Sequence, residues 1–90
     1  MRWLTGTATA TGQISTLKDV VRVIEFHAGA DNVGKVRVGT TGVITSNGRA
    51  LEAGESVTVT FSDDGSILFS EVNVAFTQSG DEVDWSIVVT

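Results

Sequence analysis

Hydrophobic and polar positions alternate with a period of two along most of the chain. In residues 57–61, Val57, Val59 and Phe61 fall on one side and Thr58 and Thr60 on the other. Residues 83–89 collect Val83, Trp85, Ile87 and Val89 opposite Asp84 and Ser86. Residues 35–39 turn Lys35 and Arg37 outward and Val36 and Val38 inward. Successive side chains of a β-strand point to opposite faces, so the pattern predicts antiparallel strands with one dry and one wet face. Residues 20–28 are more apolar and predict a central strand. Strict alternation there puts Val21 and Val23 on a face with Glu25 and His27, and Val20, Ile24, Phe26 and Ala28 on the other with Arg22. Residues 67–76 predict two short strands or one bulged strand, with the change of face near Ser70-Glu71.

Glycine and small polar residues punctuate these segments. Residues 29–34 link two strands, Ser46-Asn47-Gly48 is a turn signal, and Gly54, Asp63-Asp64-Gly65-Ser66 and Ser79-Gly80-Asp81 mark further bends. Turns at this spacing predict an all-β domain, a compact sandwich or small barrel. Thr16 with Asp19 three residues later resembles a helix start, but the β-branched run that follows makes a strand the expectation. Residues 1–12, rich in threonine and alanine, are expected as an N-terminal arm or an edge strand, and residues 13–90 as a single sandwich domain.

Composition narrows the chemistry. Ninety residues make one small domain whose core is thin, so help from partner subunits is expected. Fourteen valines and twelve threonines against four leucines fit strands rather than helices. With no cysteine, disulfide frameworks, thiol catalysis and cysteine zinc sites are excluded, and the single His27 excludes any site built on two imidazoles. No apolar run reaches the roughly 18 residues of a membrane span, and no signal-peptide core is expected. Net charge is −5, unevenly placed. Residues 1–50 hold six basic and three acidic residues, and residues 51–90 hold eight acids and no base. Either strands of the two halves interleave and neutralise each other, or opposite patches join subunits head to tail. A negative chain of this size is not expected to bind nucleic acid.

Candidate sites are few. His27 shares a strand face with Glu25, a pair suited to proton transfer, but no pocket is expected to hold a nucleophile and an oxyanion beside it. Asp63, Asp64, Asp81, Glu82 and Asp84 offer oxygen ligands in turns without a regular calcium spacing. Gly39-Thr40-Thr41-Gly42 lacks the Lys-Ser/Thr ending of a phosphate loop. No catalytic residue, metal or cofactor is therefore expected. Trp85 is expected in the core, whereas Trp3, at the terminus, packs back on the domain or docks on another chain.

Read together, residues 20–89 resemble small structural proteins of tailed-bacteriophage virions. The residues that carry the resemblance are Val21-Arg22-Val23-Ile24-Glu25-Phe26, Ala30-Asp31-Asn32-Val33-Gly34, Lys35-Val36-Arg37-Val38-Gly39, Thr45-Ser46-Asn47-Gly48, Leu51, and Gly54-Glu55-Ser56 before an alternating strand. The ending adds Val72-Asn73-Val74-Ala75-Phe76 and Val83-Asp84-Trp85. In the motif, Leu51 is expected to enter the core, Gly54 to reverse the backbone and Ser56 to hold a turn amide. The resemblance implies an all-β fold, a small two-sheet antiparallel sandwich, jelly-roll-like, and a non-enzymatic capsid decoration (cement) protein on the outer capsid surface. It would bridge neighbouring major capsid protein subunits and associate with itself, as a trimer. A tail or head-fibre component and a carbohydrate-binding surface module are the alternatives. The contacts are expected at Arg2, Trp3 and Leu4, at Lys35 and Arg37, and at Asp63, Asp64, Asp81 and Glu82. No contact with nucleic acid or membrane is expected.

Overall fold

A computed structural model of the chain describes residues 2–40, 48–60 and 67–89. Among the described residues nine strands follow one another as β1 (Arg2–Ala8), β2 (Gly12–Gln13), β3 (Val20–Ala28), β4 (Val36–Gly39), β5 (Arg49–Leu51), β6 (Ser56–Thr60), β7 (Ile67–Leu68), β8 (Asn73–Phe76) and β9 (Val83–Val89). A 3-10 turn, Phe69–Glu71, separates β7 from β8. The strands form two antiparallel sheets. One runs β1-β9-β3-β6, with β7 also on β3; the other runs β2-β8-β4-β5.

This order has a simple origin. β6 pairs with Val23–His27 of β3 and β7 with Val20 and Val21, on the same side, so the two act as one interrupted strand. Counted that way, the chain is a double ribbon. β1 lies on β9, β2 on β8, β3 on β6 and β7, and β4 on β5. The ribbon then rolls up, and the added pairings of β3 with β9 and β4 with β8 complete the two sheets. That is the strand order of a jelly roll. Most pairings join a strand from residues 1–50 to one from the acidic remainder, so the halves interleave, and Lys35 meets Glu52 across them at 3.9 Å.

The dry faces meet as the alternation requires. Ile24, Phe26 and Ala28 of β3 and Val83, Ile87 and Val89 of β9 pack against Val36 and Val38 of β4, Val74 of β8 and Leu51 of β5. Phe69 and Val72, from the 3-10 turn and the residue after it, are also buried in this core. Residues 67–76 thus make two strands in different sheets, with the face change at Ser70-Glu71. The Glu71 carboxylate accepts the Leu68 backbone N–H at 3.0 Å and closes the turn.

Two local expectations are corrected. Val21 does not share a face with Val23. Val21 opposes Val89 and Val23 opposes Val88, so Arg22 is an inserted residue that shifts the register. Val21 is therefore fully buried while Val23 stays beside Glu25 and His27 on the wet face. In the Gly54 bend, Leu51 is buried and Gly54 takes a positive φ of 79°, but the turn amide is held by Glu55, whose Oε1 accepts the Glu52 N–H at 2.7 Å, and not by Ser56.

The N-terminal residues take the edge-strand alternative: β1 pairs with β9 over its whole length. Gly6 lies opposite Trp85, and the indole covers it so closely that a Cβ at Gly6 would stand 2.5 Å from Trp85 Cζ2. Trp85 also meets Phe69 edge to face, with ring centroids 5.3 Å apart. Gly6→Val should force the indole out of this seat and destabilise the fold by about 1–3 kcal/mol, the usual range for overpacking. Thermal unfolding and Trp85 emission, read in a Trp3→Phe background, check this; an unchanged melting temperature and emission maximum would refute it.

Candidate functional site

The wet face of the β1-β9-β3-β6 sheet is ordered in cross-strand rows about 7 Å apart, the spacing of two residues along a strand. Trp3, Val88, Val23 and Thr60 form the first, Thr5, Ser86, Glu25 and Thr58 the second, and Thr7, Asp84, His27 and Ser56 the third. Hydroxyls tie the carboxylates down: Thr7 Oγ1 donates to Asp84 Oδ1 at 2.7 Å and Thr58 Oγ1 to Glu25 Oε2 at 3.2 Å. The third row holds a serine, a histidine and an aspartate side by side. All three are exposed, and no hydrogen bond joins His27 to Ser56 or to Asp84 among the described residues. Nothing in the row activates the Ser56 hydroxyl, and an open sheet face encloses no substrate. Among the described residues no three acidic or histidine side chains come together as a metal site.

An apolar cavity of about 300 Å³ opens between β6 and β4, lined by Ile24, Phe26, Val38, Val57, Val59 and Val72. Thr40 and Arg49 supply its polar side chains, and both are exposed.

The expected contact residues separate into distinct roles. Trp3 stands on the wet face, 67% exposed. Leu4 turns inward and packs against the core, and Arg2 is held by Asp19 in an ion pair of 2.9 Å. That pair is exposed enough to contribute no more than about 1 kcal/mol. Lys35 and Arg37 lie at β4, where Arg37 donates to the Gly48 carbonyl at 3.3 Å. Asp63 and Asp64 lie outside the described residues.

Asp81 departs from its expected place on a contact surface. It is 2% exposed, and its carboxylate accepts the backbone N–H groups of Val33 and Gly34, each at 2.8 Å. Next to it, Asn32 and Glu82 exchange two bonds. Asn32 Nδ2 donates to the Glu82 carbonyl at 2.8 Å, and the Glu82 N–H donates to Asn32 Oδ1 at 2.9 Å. Together they clasp the β3–β4 loop to the β8–β9 loop. Glycine is needed at both ends of the clasp: a Cβ at Gly34 would lie 2.3 Å from Thr77 Oγ1, and one at Gly29 would lie 2.9 Å from Asn32 Oδ1.

The clasp holds one residue outward that sequence reasoning did not single out. Val33, whose own N–H is fixed by Asp81, is 82% exposed. Its signal was a lone β-branched residue between Asn32 and Gly34 in a glycine-rich loop. Leu17, half exposed, lies in the segment that leads to Asp19, the partner of Arg2. Apolar side chains are thus offered at two ends of the sandwich, Trp3 near Val88 and Val33 beyond Val83. Five residues of β9 separate these levels, roughly 17 Å. Comparison with protein-family models, with curated proteins and with solved structures gave no match to this chain.

Asp81→Ala should leave two loop amides without an acceptor and destabilise the fold by about 2–4 kcal/mol. Asp84→Ala, on the wet face, should stay within about 1 kcal/mol of the parent. Hydrogen exchange at Val33 and Gly34 should quicken in the first variant alone. Equal losses in the two variants would count against the clasp.

Proposed function

We propose that this chain is a non-enzymatic structural protein of a tailed-phage virion, a capsid decoration protein that bridges major capsid protein subunits on the outer surface. The observation that supports the reading is the outward display of apolar side chains from a well-anchored frame. Trp3 projects from a strand paired along its length, and Val33 from a loop pinned by Asp81. Fully burying a side chain of this size stabilises an interface by about 1.5–3 kcal/mol, and a fixed backbone reduces the ordering loss on binding. The jelly-roll strand order and the resemblance of residues 20–89 point the same way.

The action is mechanical. Each copy straddles a seam between capsid subunits, and its contacts on the two sides close the seam together, so their combined strength exceeds that of either alone. Association of the protein with itself multiplies the contacts further. No cofactor, nucleic acid or membrane takes part.

Mass spectrometry of purified particles, with copy numbers, tests the reading. The chain should be present in a number commensurate with the capsid lattice, and heads made without it should take it up when it is added back. Absence from finished particles, or a handful of copies confined to the tail or fibres, would overturn it.

A further inference from the structure

β1 is the outermost strand of its sheet, and its second side carries no strand and no backbone–backbone hydrogen bond among the described residues. Edge strands of this length are commonly protected by proline, lysine, a bulge or a covering segment, because unpaired N–H and C=O groups recruit another strand. The protein contains no proline, and the β1–β9 register runs without a shift. The one charge in β1, Arg2, is held by Asp19, and residues 3–11 carry none.

The side chains of β1 have a polarity of size that matters for what fits there. Arg2, Trp3 and Leu4 are large, Gly6, Thr7 and Ala8 are small, and Thr5 stands at the centre. We propose that β1 pairs with β1 of a second copy of this chain, antiparallel and centred on Thr5, so that one sheet runs through both sandwiches. An isologous contact sets the same strand against itself in reverse. Centred on Thr5, it sets Trp3 against Thr7, Leu4 against Gly6 and Arg2 against Ala8, a large side chain facing a small one each time. Wet and dry faces stay in phase, because each pair joins residues of the same side. Trp3 then lies over Thr7 of the second copy, next to the Asp84 that Thr7 binds. No like charges meet along residues 3–8. The opposite edge is carried by β6 and β7 in turn, and β6 lacks this gradient of size and has Glu55 at its start. The inference concerns the isolated protein and stands independently of the capsid reading.

The absence of cysteine makes the test direct. Facing residues of an antiparallel pair have Cα atoms about 4.5–5.5 Å apart, within disulfide reach. Thr5 is exposed, so Thr5→Cys should keep the fold and crosslink two chains at micromolar concentration under mild oxidation, whereas Ser56→Cys on the far edge should not. A mixture of Trp3→Cys and Thr7→Cys chains should give the mixed dimer. Light scattering should find two chains per particle for the parent, unchanged at about 1 M salt, where screening reaches about 3 Å. Thr5→Lys should give a folded monomer by circular dichroism. A parent that stays monomeric, a three-fold assembly, or crosslinking that favours Ser56→Cys would overturn the proposal.

Discussion

β3 and β9 are each bonded on both sides, and the remaining strands of their sheet depend on that shared ladder. β9 carries β1 along its outer side, and β3 carries β6 and β7. Their dry faces supply much of the core, with Ile24, Phe26 and Ala28 opposite Ile87, Trp85 and Val83. The two strands lie about sixty residues apart in sequence, so the central ladder forms only after a large loop is closed. Folding of such a topology is slow relative to helical domains of equal size.

The strands were largely legible because alternation is a local property. The dry residues of β4 and β9 and Val57 of β6 follow from side chains pointing alternately to the two sides, whereas Val59, on the same side as Val57, is 38% exposed and Phe61 lies outside the described residues. The position of Arg22 was not legible. Nothing in Val21-Arg22-Val23 announces an extra residue; the shift exists only relative to Val88 and Val89 on β9. The fate of Asp81 was hidden for the same reason. In sequence it looks like a solvated acid after Ser79-Gly80, and it is buried because the amides of Val33 and Gly34, nearly fifty residues earlier, arrive beside it. Trp3 was recognisable as a tryptophan needing a cover, but which face it would take depended on β1 joining β9.

Charge follows the same logic. The basic first half and the acidic second half look segregated along the chain, yet the rolled ribbon sets strands of one beside strands of the other. The ion pairs Arg2–Asp19 and Lys35–Glu52 stay at the surface, where solvent weakens them, and the fold rests on apolar burial and backbone pairing. The exposed apolar residues are therefore exceptions to a pattern that otherwise places them inside.

Arg2 and Val89 face each other at one end of the β1–β9 ladder. A tension applied between the two chain termini would peel these strands apart one bond at a time, like a zipper, and meet little resistance. Opposed loads directed along the strands, one on each partner, would have to break the pairs of a ladder together. A tether fused to either terminus therefore loads the β1–β9 ladder from its end, where the pairs open in turn and not together.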